Sequence, residues 1–292
     1  MSYPTLRLHP RKEESVLRFH PWIFSGAIAS FSAPVEDGDL VSVVDSKGRP
    51  LGTGHFGGGS IAVRLLSFDA EEVIDRAFYK RRLEAALRLR LSCDLVRPVG
   101  SSDSPNTTYR LVHGEGDSLP GLIIDIYDRT AVVQAHSLGM HQARQTIAEV
   151  LWEVFAEAGD PVLPLEGIYY KSETTLPTRD MRELASYGFL IGHTEAAPIY
   201  ENGVRFTPDW HKGQKSGFFS DQRDNRALVA HYAKGRTVLN AFCYTGGFSI
   251  YALHAGAKRV DSLDSSAKAM YLTEQHVALN FGTDCPRHHS VT

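Results

Sequence analysis

Hydrophobic and polar positions divide this chain into three stretches of different period. From Leu6 to Phe68 the apolar runs are short, as in DLVSVVD and IAVRLLSF, and are broken by Asp37-Gly38, Lys47-Gly48 and Gly57-Gly58-Gly59. Short runs between such punctuation predict strands joined by tight turns, so residues 1 to 70 read as a small β-rich domain. From 71 to 193, helically spaced stretches (RAFYKRRLEAALRLR and HQARQTIAEVLWEVFAEAG) alternate with strand-like GLIIDIYD, TAVVQAH and GIYYKS. That alternation predicts a mixed α/β unit, with SSDSPNTTY at 101 to 109 as an exposed loop. The third stretch, 194 to 292, begins with a polar linker and a hairpin signal at Glu201-Asn202-Gly203. The chain therefore reads as an α/β multidomain protein.

The last stretch also holds VLNAFCYTGGFSIYALHAGAKRVDSLDSS, from Val238 to Ser266. Val238, Leu239, Ala241 and Phe242 predict a buried strand, Gly246-Gly247 a sharp turn, and Phe248, Ile250, Tyr251 and Leu253 a helix. A second apolar run from Arg259 to Leu263 ends in Asp264. Strand, glycine turn, helix and strand form the first part of a nucleotide-binding unit, in which the acidic residue meets ribose hydroxyls. The turn reads CYTGGFS and not GxGxxG, which disfavours a dinucleotide and an oxidoreductase. A glycine pair flanked by Tyr244 and Phe248 suits a nucleoside without phosphates, of which S-adenosylmethionine is the commonest; the alternative is that the two glycines merely shape a tight turn.

Composition narrows the setting. With 292 residues, 42% of them hydrophobic, the chain can bury more than one core. It has no run of 18 apolar residues, and MSYPTLRLHPRKEE lacks the apolar centre of a signal peptide, so the expectation is a cytoplasmic protein without a membrane partner. Cys93, Cys243 and Cys285 have no CxxC spacing and read as reduced thiols, with no metal site. Net charge is −3, yet residues 76 to 90 carry six basic side chains against Glu84 alone. Arg81, Arg82 and Arg88 on this helix are candidates for contacts to RNA phosphates; a merely solvated face is the other reading.

HKGQKSGFFSDQRDNR, from His211 to Arg226, is the most specific stretch. In one reading Asp221 or Asp224 simply caps the following helix. The order GQKSGFFSDQRDNR, VLNAFCYTGGFS, then VDSLDSS with LTEQHVALN resembles the PUA-domain 23S ribosomal RNA cytosine-5 methyltransferases. HPWIFSGAI and YRLVHGEGDSLPGLIIDIY match the same family, so the resemblance covers nearly the whole chain. It implies a PUA-like β-barrel over 1–70 that binds RNA, a linking α/β domain over 71–193, and part of a Rossmann-like methyltransferase domain over 194–292. It further implies S-adenosylmethionine as cofactor and 23S ribosomal RNA as partner. Lys215, Ser216, Phe218, Gln222 and Arg223 would line the cofactor pocket, with Phe242, Tyr244, Gly246 and Gly247 as its floor, Asp264 on the ribose and Ser265 beside the adenine.

The chain departs from that family in one respect. A full methyltransferase domain takes about seven strands and roughly 200 residues, whereas about 100 follow Thr194. The family's Asp-Pro-Pro loop and its cysteine-bearing strand are absent from this sequence, so no catalytic residue is assigned and the chain as given is expected to be inactive. Cys243 reads as a small packed residue, Cys285 as part of a frayed tail, and His288-His289 as a disordered end. An incomplete sheet would leave apolar faces that a second chain, as in a homodimer, can cover. Two readings stand: an RNA cytosine-5 methyltransferase of which this is the N-terminal part, and a non-catalytic protein that binds RNA and the cofactor.

Overall fold

The structure, a computed structural model, describes residues 3–176, 187–213 and 215–291. It divides into two compact units, one of residues 1–94 with 110–194 and one of residues 95–109 with 195–292.

The first unit opens with β1 (Thr5–Leu8), α1 (Glu14–Leu17), β2 (Trp22–Phe24), β3 (Ile28–Phe31), β4 (Leu40–Val44), β5 (Pro50–Phe56) and β6 (Ile61–Ser67). The strands form one sheet in the order β2-β6-β5-β4-β1-β3. The two edge strands, β2 and β3, are joined by the single turn Ser25–Ala27. Four Cα steps reach at most about 15 Å, while the edges of a flat six-stranded sheet stand about 24 Å apart. The sheet must therefore curl until its edges meet, which makes the β-barrel expected of this region. Its interior is filled by alternate strand residues, among them Leu6, Leu8, Ile23, Val41, Val43, Val63 and Leu65, as the two-residue period of a pleated strand requires.

Beyond the barrel come α2 (Arg76–Ser92), β7 (Thr108–His113), β8 (Leu122–Tyr127), β9 (Thr130–Ala135), α3 (Leu138–Gln142), α4 (Arg144–Ala158), β10 (Gly167–Tyr170) and β11 (Gly188–Gly192). The sheet runs β11-β10-β9-β8-β7, and a parallel pair, β9 with β10, is bridged by the two helices. Asp75 caps α2 by accepting from Phe78 N at 2.9 Å. Phe78, Leu83, Ala86 and Leu87 bury its apolar side.

The basic side of α2 is largely neutralised within the chain. Arg76 and Lys80 both reach Glu153 at 2.6 Å, Arg81 and Arg82 share Glu72 at 2.8 and 3.4 Å, and Arg90 pairs with Asp117. Hydrogen bonds from Lys80 and then Arg76 hold the Glu153 carboxyl down at about 2. Of the three arginines expected to meet RNA, Arg88 is left with the loosest partner, Glu84 at 3.9 Å.

The second unit contains β12 (Ile199–Glu201), β13 (Val204–Phe206), α5 (Arg223–Ala233), β14 (Thr237–Ala241), α6 (Gly247–His254), β15 (Arg259–Leu263), α7 (Ala267–Phe281) and β16 (His288–Val291). β12 and β13 form the expected hairpin, with Asn202 and Gly203 both at positive φ. Strands β14, β15 and β16 lie parallel in sequential order, with α6 and α7 as their crossovers. This is the open α/β arrangement predicted for the region. The stretch read as an exposed loop is only half so: Ser101–Ser104 are exposed, but Asn106, Thr107 and Thr108 are buried. Thr107 N donates to Tyr200 O at 2.9 Å, and Asn106 Nδ2 donates to Leu95 O at 2.6 Å. The segment His288–Val291 is likewise built into a sheet. His288 lies in β16 with its Nε2 2.9 Å from Ser262 Oγ, and Cys285 O accepts from His288 N, so the frayed tail expected there is not observed. No helix of the described residues is long and apolar enough to cross a membrane.

His55 in β5 is 5% exposed, and burial, with the nearby Arg64 charge, pushes its pKa down to about 4. A depressed histidine pKa means that the unfolded chain binds the proton first, so stability is lost as pH falls from about 6.5 to about 4 and stays level below. The shift corresponds to about 3 kcal/mol at most. His55→Leu is expected to flatten the pH dependence of unfolding of the first unit across that window, measured by chemical denaturation at closely spaced pH values.

Candidate cofactor site

The carboxyl ends of β14 and β15 meet at the segment Phe242–Gly247. Phe242, Tyr244 and Gly246 all have positive φ, at 56, 51 and 76°. Two bulky residues in the left-handed region are strained conformations that persist only where the surroundings enforce them. Here the enforcement is visible. Cys243 N donates to Leu263 O at 3.1 Å, Tyr244 N to Asp264 Oδ2 at 2.9 Å, and Thr273 Oγ1 to Tyr244 O at 3.1 Å. Ser266 N donates to the other Asp264 oxygen at 2.9 Å. Asp264 thus locks the turn to β15 while each carboxylate oxygen keeps acceptor capacity.

The two glycines have their own steric reasons. A Cβ on Gly246 would stand 2.5 Å from Thr273 Cγ2, and one on Gly247 would stand 3.1 Å from Arg226 Cδ. Both directions point at neighbouring side chains of the same unit, so packing limits both positions, and the positive φ of Gly246 belongs to a tight turn.

Behind the turn, His276 in α7 joins two segments. Its Nδ1 donates to Thr245 O at 2.8 Å and its Nε2 accepts from Thr207 N at 3.1 Å, which fixes the neutral tautomer. Burial lowers its pKa, in keeping with that state. A buried polar chain links the strands below. Asn240 Nδ2 donates to Ser249 Oγ at 2.8 Å, and Ser249 Oγ lies 2.7 Å from Ser262 Oγ.

The polar stretch before α5 is anchored by a buried ion pair. Arg226 donates through Nε and Nη2 to the two oxygens of Glu201, at 2.8 and 2.6 Å, with both side chains at 3% exposure or less. The same Nη2 reaches Phe219 O at 2.9 Å, and the guanidinium lies over the Phe218 ring at 4.8 Å. Phe218 is consequently a core residue, packed on Phe206 at 5.0 Å between ring centroids. Its neighbour Phe219 points the other way, edge to face with Tyr244 at 5.3 Å, and carries Lys215 Nζ 4.6 Å from its ring centre. Phe218, expected from the sequence in the pocket lining, is buried, while Phe219 is half-buried. Gln222 Oε1 accepts from Asn225, Arg223 lies beside Asp224, Ser216 is buried, and Ser265 is exposed beside Asp264. Gln214 lies outside the described residues. Sequence reasoning gave no role to Glu201, Thr273 or His276. For Glu201 the one available signal was an acidic residue at the end of an apolar strand.

The strand read as buried is exposed on its outer side, with Leu239 at 67% and Phe242 at 91% exposure. β14 is an edge of the three-stranded sheet, and a parallel strand is buried on both faces only where layers cover both. Cys243 is buried, with its sulfur 3.5 Å from Met270 Sδ, and burial raises its pKa. It packs as a small hydrophobe.

Comparison with known proteins agrees with this architecture. Residues 6–68 match the PUA-like domain family, and residues 179–288 match the S-adenosylmethionine-dependent methyltransferase family. The chain therefore carries a PUA-like domain followed by a Rossmann-like methyltransferase domain of the class that uses S-adenosylmethionine. Among curated proteins it is 39% identical over 278 residues to ribosomal RNA large subunit methyltransferase I of Shewanella amazonensis, covering 94% of this chain and 66% of that protein. The protein of the same name from Alteromonas mediterranea is 39% identical over 277 residues, covering 94% and 65%. The chain thus spans just under two thirds of the length of these relatives. Among solved structures, an S-adenosylmethionine-dependent methyltransferase from Streptococcus mutans superposes with a TM-score of 0.79 at 23% identity, covering all of this chain and 70% of that one. A methyltransferase solved in complex with SAH gives a TM-score of 0.80 at the same identity and coverage. Both show the shared fold.

Removing one partner of a buried ion pair costs about 3–5 kcal/mol, because the other charge is left uncompensated. Arg226→Met is expected to destabilise the second unit by that amount in urea denaturation. The double variant Glu201→Gln/Arg226→Met should recover most of the loss.

Proposed function

We propose that the carboxyl ends of β14 and β15 bind S-adenosylmethionine and that the protein serves methylation of large-subunit ribosomal RNA, with C5 of a cytosine in 23S RNA as the acceptor. The observation that carries this reading is the Asp264 carboxylate, set at the end of the second parallel strand and hydrogen-bonded to the turn that follows the first. That is where an open α/β sheet meets a nucleoside ribose. The surroundings suit the rest of such a ligand. Phe219 and Tyr244 offer aromatic faces, Phe242 is an exposed ring on the same turn, and Ser220 Oγ is buried with no hydrogen-bond partner among the described residues. In this reading Ser265 stands on the adenine side, Lys215, Ser216, Gln222 and Arg223 form the rim, and Gly246 and Gly247 keep the floor thin. Domain limits near residues 70 and 193 go with it.

The bound cofactor supplies an electrophilic methyl group on a sulfonium. Cytosine C5 becomes nucleophilic enough to take it once a thiolate adds at C6, after which a base removes the C5 proton and the thiolate leaves. Cys243 is a poor thiolate here, because burial favours its neutral form. These 292 residues are accordingly proposed to bind the cofactor and not to transfer its methyl group to RNA.

Two measurements test this. Calorimetry should show S-adenosylmethionine binding, weakened in Asp264→Ala by about 1.5–3 kcal/mol, the range for hydrogen bonds to a charged group; unchanged affinity removes the ribose role. Incubation with radiolabelled cofactor and unmodified 23S RNA should leave no methyl label on cytosine. Label that disappears in Cys243→Ser would make Cys243 the nucleophile and overturn the proposal.

The phosphate reading of α2 narrows to its loosest side chain. If the helix meets RNA, Arg88→Ala should lower the slope of log affinity against log salt by about one, while Arg82→Ala, tied to Glu72, should change it little. Equal slopes in the two variants would return α2 to a solvated face.

A further inference from the structure

A second site lies in the first unit, where the β5–β6 turn faces the start of α3. It is a cavity of about 310 Å³, the size of pocket that encloses one heterocycle and little more. Phe56, Ile61 and Leu138 give it an apolar flank, and Asp37, His55 and Arg64 supply polar groups. Three features mark it as more than a packing gap. His55 is 5% exposed, and its Nδ1 is buried without a hydrogen-bond partner among the described residues. A polar atom in that condition ordinarily costs free energy unless something satisfies it. Arg64 is partly buried, its pKa lowered by that burial, and its guanidinium makes no hydrogen bond or ion pair among the described residues, Glu115 acting on it only at longer range. Asp37 is placed by accepting from Gly58 N at 2.6 Å through Oδ1, which leaves Oδ2 as an acceptor.

The lining carries one acidic and one basic side chain, Asp37 and Arg64, and so favours a neutral ligand over a free anion. The ligand must offer two neighbouring acceptors to the arginine fork, donors to the carboxylate, and a flat apolar face to Phe56 and Leu138. Among nucleobases, guanine has this distribution: O6 and N7 accept from an arginine, and N1–H and the 2-amino group donate on an adjoining edge. Neutral His55 adds one donor or one acceptor according to its tautomer. We propose that this cavity binds an unstacked guanine base. An unpaired guanine in RNA and a free guanine nucleoside present the same chemistry. With RNA as the source, the inference deepens the RNA reading given above and rests on it.

The test uses the full chain and four nucleosides, followed by two short single-stranded RNAs, UUUGUU and UUUAUU. In calorimetry guanosine is expected to bind at least tenfold tighter than adenosine, cytidine or uridine, and Asp37→Asn and Arg64→Lys should each remove that preference. Thermal melting confirms that both variants fold. The preference between the two RNAs should persist at high salt while total affinity falls, because a base contact releases no counterions. Tighter binding of UUUGUU than of guanosine assigns the site to RNA, and equal binding assigns it to a free nucleoside. The proposal is overturned if no guanine ligand binds, if all four bases bind alike, or if the preference survives in Asp37→Asn. Base-independent binding of 23S RNA that is unchanged in both variants would sink the guanine site and leave the broader RNA reading standing.

Discussion

The second unit depends on the buried pair of Arg226 and Glu201. One guanidinium binds both carboxylate oxygens of the hairpin strand β12, holds the Phe219 carbonyl, and lies over the Phe218 ring. Tyr251 of α6 adds its hydroxyl to Glu201 O at 3.1 Å. The hairpin, the segment before α5 and α6 thus meet at one ion pair, and Arg suits that place because its donors form a rigid fork. Such a pair gains little over an apolar substitute in stability, since desolvating two charges is costly. What it supplies is direction: it sends Phe218 inward and leaves Phe219 for Tyr244. The aromatic wall of the candidate site follows from that choice.

A similar logic governs the turn. Asp264 accepts from Tyr244 N and Ser266 N, so the residue expected to meet a ribose also holds the backbone that shapes the pocket. The strained φ values of Phe242 and Tyr244 are maintained by these bonds and by Thr273. Neutral His276 reinforces the arrangement from behind, since protonation would remove the acceptor that Thr207 N uses. Side chains that fix the site are therefore distributed over β15, α7 and the hairpin, outside the glycine motif itself.

Local patterns made much of this legible. Short apolar runs between glycine-bearing turns gave the strands of the β-rich first domain, the Asn202-Gly203 pair gave the hairpin, and the strand, glycine and acidic residue spacing gave the parallel unit. What could not be read were relations between distant segments. The six basic residues of α2 looked like an electrostatic footprint because Glu153, Glu157 and Asp117, which pair with them, lie far along the chain. The exposure of Leu239 follows from the place of β14 at a sheet edge, which its own apolar residues do not reveal. His288 was expected in a loose end because four residues at a terminus carry little periodic signal, yet the parallel ladder to β15 orders them.

The segment 95–109 belongs with residues 195–292, although residues 110–194 lie between them in sequence. Asn106 and Thr107 find their partners in Leu95, Tyr200 and Asn202. On a ribosome this segment emerges long before the hairpin it clasps, and its polar groups must stay hydrated while some ninety further residues are made. Closing so long a loop adds a conformational entropy cost that grows slowly with length. The first unit can complete its own core in that interval. The order of synthesis and the order of closure are therefore different, and a piece of the later unit, made before most of the earlier one's second sheet, waits for the rest of its own unit.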